Sequence, residues 1–142
     1  MSETEVIAAI QNLAPDVKSM EHEGITFFFT GAERMFPFAT IVPRDEEYDR
    51  FSNLDRPGVY RLNFEMAKAA FRERFSGANP DFRALDILMP HPVYGANSWV
   101  SILNPSPGTF GEIRRLVEAS YRLAKYRQER KLDRDAQPET EV

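Results

Sequence analysis

Apolar residues at Val6, Ile7, Ile10 and Leu13 recur at helical spacing until Pro15 interrupts them. Ser2 followed three residues later by Glu5 supplies the reciprocal cap that begins such a helix. The period then changes from helical to alternating. Ile25, Phe27 and Phe29 interleave with Thr26, Phe28 and Thr30, and Glu23–Gly24 just before them reads as the turn of a hairpin whose first strand lies in the preceding residues. Another strand is expected in FPFATIV, residues 36–42, which has a Pro near its start and another just beyond its end. The polar run RDEEYDRFSNLD that follows reads as a solvated, turn-rich loop.

DRPG, residues 55–58, sets Pro57 and Gly58 at the two central positions of a type II turn, so the chain reverses into a strand over Val59–Phe64. Alternation puts Tyr60, Leu62 and Phe64 on one face and Val59, Arg61 and Asn63 on the other. EMAKAAFRERF then reads as a helix, with Met66, Ala70 or Ala67, Phe71 and Phe75 at helical spacing. Asp81 can cap a short helix through Met89, with Phe82, Leu85 and Met89 as its stripe and Pro90 and Pro92 as its end. SWVSILN reads as the last strand. The last helix starts near SPGTF, with Ser106 as cap or Thr109 paired with Glu112, and its buried stripe is Phe110, Ile113, Val117, Ser120, Tyr121 and Ala124.

Strands gathered early, then helices, one more strand and a long helix predict an α+β fold: a single two-layer domain over residues 1–131, its helices on one face of a largely antiparallel sheet. Residues 132–142 are polar and are expected to fray. If the helices cover Tyr60, Leu62 and Phe64, then Arg61 and Asn63 point to the opposite side. There they are either wet or, once a loop or a second subunit roofs them, ligand-facing.

Composition narrows the function classes. The 142 residues, with 42% hydrophobic and 17 aromatic side chains, suffice for one folded domain. The absence of Cys excludes disulfides, thiolate metal sites and thiol catalysis, and fits a cytoplasmic address. The acidic amino terminus lacks the character of a secretory signal, and ITFFF is far too short to span a bilayer, so no membrane association is expected. A net charge of −4 argues against nucleic acid as a partner, although eight of the 18 Lys and Arg residues fall within residues 112–134.

RMFPFATIV, SNLDRPGVYRLNF and HPVYGANSWVSILNPSPGTF, in this order and spacing, resemble a family of small bacterial proteins catalogued only as a domain of unknown function. The likeness runs over about residues 5–126 and implies no particular reaction. SWVSIL followed by EIRRLVEASYRLA is similar to the end of MmcQ/YjbR-type proteins. That similarity implies an α+β fold related to the frataxin-like sandwich, and it implies DNA binding, for which Arg114, Arg115, Arg122 and the later bases are the candidate contacts.

Candidate chemistry is sparse. No glycine-rich phosphate cradle, P-loop or G-x-S-x-G elbow occurs, and two distant His residues without Cys argue against zinc, so neither cofactor nor metal is expected. Asp45, Glu46, Glu47 and Asp49 offer oxygens to a hard cation but lack the calcium-loop pattern, and a solvated acidic loop is the simpler reading. His91, held between prolines, is either a general acid or base or a structural residue bonded to its own loop, while His22 reads as a solvated strand residue. If Val100 and Ile102 face the helices, Trp99 joins Arg61 and Asn63 on the other face. The alternative places Trp99 in the core and pairs Arg61 with Asp55 or Glu65. The expected function is a noncatalytic ligand-binding or interaction domain, with Arg61, Asn63, His91, Tyr94 and Trp99 as its site for a small anionic ligand and a homodimer able to complete it. An enzyme using His91, with Arg61 holding an anionic substrate, is the alternative, and a DNA-binding role comes third.

Overall fold

The computed structural model describes residues 1–136. Helix α1 (Glu3–Gln11) leads into strands β1 (Val17–His22), β2 (Ile25–Thr30), β3 (Ala39–Val42) and β4 (Arg61–Glu65); α2 (Lys68–Phe75), β5 (Met89–Pro90), β6 (Trp99–Leu103) and α3 (Pro107–Ala136) complete the chain. The six strands form one sheet in the order β1-β2-β3-β4-β6-β5, and every neighbouring pair is antiparallel. The fold is the α+β arrangement expected from the sequence, a single domain.

Local chemistry explains the elements. Ser2 and Glu5 close the capping box of α1, and Ser106 Oγ accepts from the Thr109 amide at the start of α3. Glu23 and Gly24 both adopt left-handed φ, of 51° and 82°, as a two-residue hairpin between twisted strands requires. At the second turn, the Val59 amide donates to the Arg56 carbonyl across Pro57 and Gly58, and Gly58 takes the positive φ that a type II turn demands.

The core lies between the helices and one sheet face. Val6 and Ile10 of α1 and Phe110, Ile113, Val117 and Tyr121 of α3 pack on Phe28, Ile41, Leu62, Phe64, Val100 and Ile102. Burial of these side chains is worth about 1.5–3 kcal/mol each and dominates folding. Helix α2 adds little, since none of its residues is fully buried; Phe71 and Phe75 stack on each other, 5.3 Å between ring centres, at the margin of the core.

Two expected elements differ. No helix forms over residues 81–89. Asp81 Oδ1 accepts the Arg83 amide in a local turn, Asp86 takes a positive φ, and the chain then runs along β6, with the Asp86 amide donating to Leu103 O and Met89 opposite Ser101. Edge pairing satisfies more backbone than a short, poorly buried helix would. At the far end, α3 continues through Ala136, past the boundary expected at residue 131. The rest of the expected fraying tail lies outside the described residues.

Candidate functional site

Antiparallel register assembles a polar row on the sheet face away from the helices. Thr40 lies opposite Asn63, Asn63 opposite Ser101 and Val42 opposite Arg61. Asn63 is the hub: its Oδ1 accepts from Arg61 Nε (2.8 Å) and Ser101 Oγ (2.7 Å), and its Nδ2 donates to Thr40 Oγ1 (3.1 Å). These partners fix the amide, because the flipped form would set Nδ2 against the Arg61 N–H. Arg61 is only 1% exposed, so its cation must be paired where it sits.

The loop between β3 and β4 supplies the partner. Instead of lying out in solvent, this acidic segment folds back over the sheet. Glu46 and Asp49 exchange both backbone hydrogen bonds in a tight reversal, Asp45 Oδ1 accepts the Leu54 amide, and Asp55 Oδ1 accepts the Asp45 amide. The fold-back delivers Asp49 and Ser52 onto Arg61. Asp49 takes both terminal nitrogens of the guanidinium, Oδ1 from Nη1 (3.1 Å) and Oδ2 from Nη2, and Ser52 Oγ accepts from Nη1 at 2.9 Å. The ion pair of Arg61 is therefore with Asp49, not with Asp55 or Glu65. Glu65 is four residues further along the same strand, about 13 Å away at strand rise, and it pairs with Arg127 on α3.

His91 closes the third side. It opens the loop between β5 and β6, and its Nδ1 accepts the amides of both Val93 and Tyr94 at 3.0 Å, capping the turn that Pro92, with no N–H, cannot contest. An Nδ1 that accepts twice carries no proton, so the neutral ring holds its hydrogen on Nε2. That atom lies 3.4 Å from Arg61 Nη2. Burial, seconded by the Arg61 guanidinium and opposed by Asp49, pushes the His91 pKa down to about 4, and the ring is neutral at pH 7.

Arg61, Asn63, His91, Tyr94 and Trp99 all line one open cleft of about 770 Å³. The structure thus brings the five expected residues together, with Trp99 half-buried at the wall rather than in the core. Phe27, Phe36 and Tyr48 complete the apolar walls. Phe36, Tyr48 and Tyr94 are 71%, 83% and 57% exposed and form the rim. Sequence reasoning missed Asp49, Ser52, Thr40 and Ser101. Strand alternation could have found Thr40 and Ser101; nothing local marks which carboxylate of the acidic loop reaches Arg61. Of the eight Lys and Arg residues within 112–134, three are paired with carboxylates: Arg122 with Glu118, Lys125 with Asp16 and Arg127 with Glu65.

No curated protein and no solved structure matches the chain, so the similarity to MmcQ/YjbR-type proteins gains no support from them. A family model does match, over residues 1–133, and by that match the chain belongs to a family of unknown function, DUF6194.

Proposed function

We propose that this is a noncatalytic ligand-binding domain whose site is the cleft over the outer face of β3, β4 and β6. The observation that carries the reading is the combination of aromatic walls with a rigid, buried polar floor at Arg61 and His91. Apolar area supplies affinity and a few fixed polar groups supply orientation, which is how small-molecule sites are built. General-base catalysis fits less well, because the free face of His91 carries a proton and its other nitrogen is committed to the backbone. DNA binding draws on Arg114, Arg115, Arg122 and the later bases, but three of the eight bases in this segment are held by carboxylates and the net charge of the chain is −4. A second copy roofing the exposed aromatic rim would complete rather than replace this site, and the cysteine-free composition fits a bacterial cytoplasm.

Trp99 is the single tryptophan of the chain and lines the cleft, so its emission reports occupancy directly. A metabolite screen is expected to yield compounds that raise Tm and change Trp99 fluorescence together, both effects fading in Tyr94→Ala, a rim variant that leaves the floor intact. A screen in which no stabilising compound alters Trp99 emission would sink the reading.

A further inference from the structure

The polar floor of the cleft has more donors than the protein can satisfy. Arg61 presents five N–H groups. Nε serves Asn63, the two hydrogens of Nη1 serve Asp49 and Ser52, and one hydrogen of Nη2 serves Asp49. The remaining Nη2 hydrogen has only His91 Nε2 within reach, and that nitrogen is itself a donor, because Nδ1 is occupied as a double acceptor. Two N–H groups, 3.4 Å apart on residues 1% and 6% exposed, therefore meet at the cleft with no acceptor between them. Each unmatched donor in so dry a place costs free energy. One oxygen about 2.9 Å from both nitrogens would satisfy the pair.

Charge decides which oxygen. Asp49 already meets Arg61 through two oxygens and neutralises it, the His91 ring is neutral, and the cleft is also lined by Glu47 and by Glu46, itself paired with Arg44. An incoming carboxylate on Nη2 would sit next to Asp49 Oδ2 and share a single cation with it, with Glu47 adding to the repulsion. An uncharged acceptor meets no such repulsion. The walls beside the donor pair are aromatic, Phe27, Tyr94 and Trp99 among them.

We propose that the cleft recognises an uncharged carbonyl oxygen, of an amide, lactam or ketone, carried on an apolar or aromatic body, with His91 Nε2–H and Arg61 Nη2–H as its two donors. This rests on the ligand-binding reading and narrows it, replacing the anionic ligand expected from sequence by a neutral one.

A matched trio separates the possibilities: 3-phenylpropanamide, 3-phenylpropanoate and propylbenzene, titrated at pH 7 against ¹⁵N-labelled protein. The Trp99 indole N–H signal reports occupancy and the His91 Nε2–H signal reports the contact. The amide is expected to bind at least about tenfold more tightly than either analogue, since a site built for a hydrogen bond rejects partners that cannot make it. It is also expected to move the His91 Nε2–H resonance downfield. His91→Asn keeps an acceptor near the Val93 and Tyr94 amides while removing the Nε2 donor. The variant is expected to hold the wild-type fold and abolish the preference for the amide over propylbenzene. If that variant does not fold, the His91 resonance of the wild type decides. Equal binding of amide and hydrocarbon, tighter binding of the carboxylate, or an unmoved His91 resonance with bound amide overturns the inference while leaving a ligand site. Silence of Trp99 towards all three probes counts against the ligand-binding reading itself and removes this inference with it.

Discussion

Two polar clusters flank the sheet, and only one of them is closed. Asp16, just before β1, accepts from Tyr121 and Lys125 of α3 and from Thr30 of β2, and Lys125 also donates to the Tyr121 hydroxyl. Its spare donor, the third Lys125 N–H, belongs to a side chain that is 42% exposed and open to water, and what the cluster accomplishes is mechanical: α3 is tied to the sheet edge. On the opposite face, Arg61, Asn63, Asp49 and His91 are more deeply buried and more fully connected, yet two donors remain facing each other across 3.4 Å. A spare donor on an exposed side chain is met by water, whereas a surplus of donors on nearly buried groups beside an open cleft is what the proposed ligand site rests on. The difference lies in where the surplus donors sit, on an exposed ammonium or on nearly buried groups, not in how many hydrogen bonds each cluster makes.

The largest expected effect breaks the open cluster at its charge pair. Asp49→Ala leaves the Arg61 cation buried with no counter-ion, and urea denaturation is expected to show a loss of about 3–5 kcal/mol. Arg61→Met combined with Asp49→Leu removes both charges together and is expected to recover more than half of that loss, because the cost lies in the orphaned charge rather than in the missing bond. A double variant as unstable as the single one would mean that Asn63, Ser52 and His91 depend on the guanidinium for more than its charge.

How much of this was legible beforehand follows the range of the signals. Alternation in VYRLNF and SWVSIL sorts Arg61, Asn63 and Trp99 onto one face, because a strand has a strict two-residue period and the helices claim the greasier side. His91 and Tyr94 follow as a loop entering that strand. Residues 81–89 mislead: their apolar spacing suits a helix, but the pairing with β6 that prevails depends on a strand not yet reached in the sequence. Asp49 lies beyond local reading altogether. Four carboxylates crowd residues 45–49, and only the folded-back loop selects the one that meets Arg61.

Titration sharpens the comparison, since each cluster hinges on one group whose folded pKa is depressed. His91 falls from about 6.5 to about 4 on folding. The unfolded chain then binds the extra proton between those values, so stability is complete above about pH 6.5 and is lost as pH falls towards 4. The loss amounts to on the order of 2–3 kcal/mol. Denaturation midpoints recorded from pH 7 to 4 are expected to fall along this slope in the wild type and to flatten across it in His91→Asn. An unchanged slope in the variant would assign the acid limb to other groups.

The closed cluster gives the smallest and most acidic effect. The Tyr121 hydroxyl first, with Lys125 and Thr30 behind it, outweighs the cost of burial and holds the Asp16 carboxyl at about 2, below its usual 3.8. Asp16 thus stabilises the fold above about pH 4, and that contribution disappears as pH falls through its folded pKa towards 2, a window that does not overlap the one set by His91. Asp16 is 32% exposed at its side chain, and solvent screens much of the pair with Lys125. Asp16→Ala is therefore expected to cost about 1–2 kcal/mol at pH 7, well short of Asp49→Ala. The loss is expected to leave any Trp99 response to a bound amide unaltered, because the two clusters share no residue. A variant at Asp16 that weakened that response would show the faces of the sheet to be coupled, and the proposed division between a cluster that holds the fold and a cluster that serves a ligand would fail.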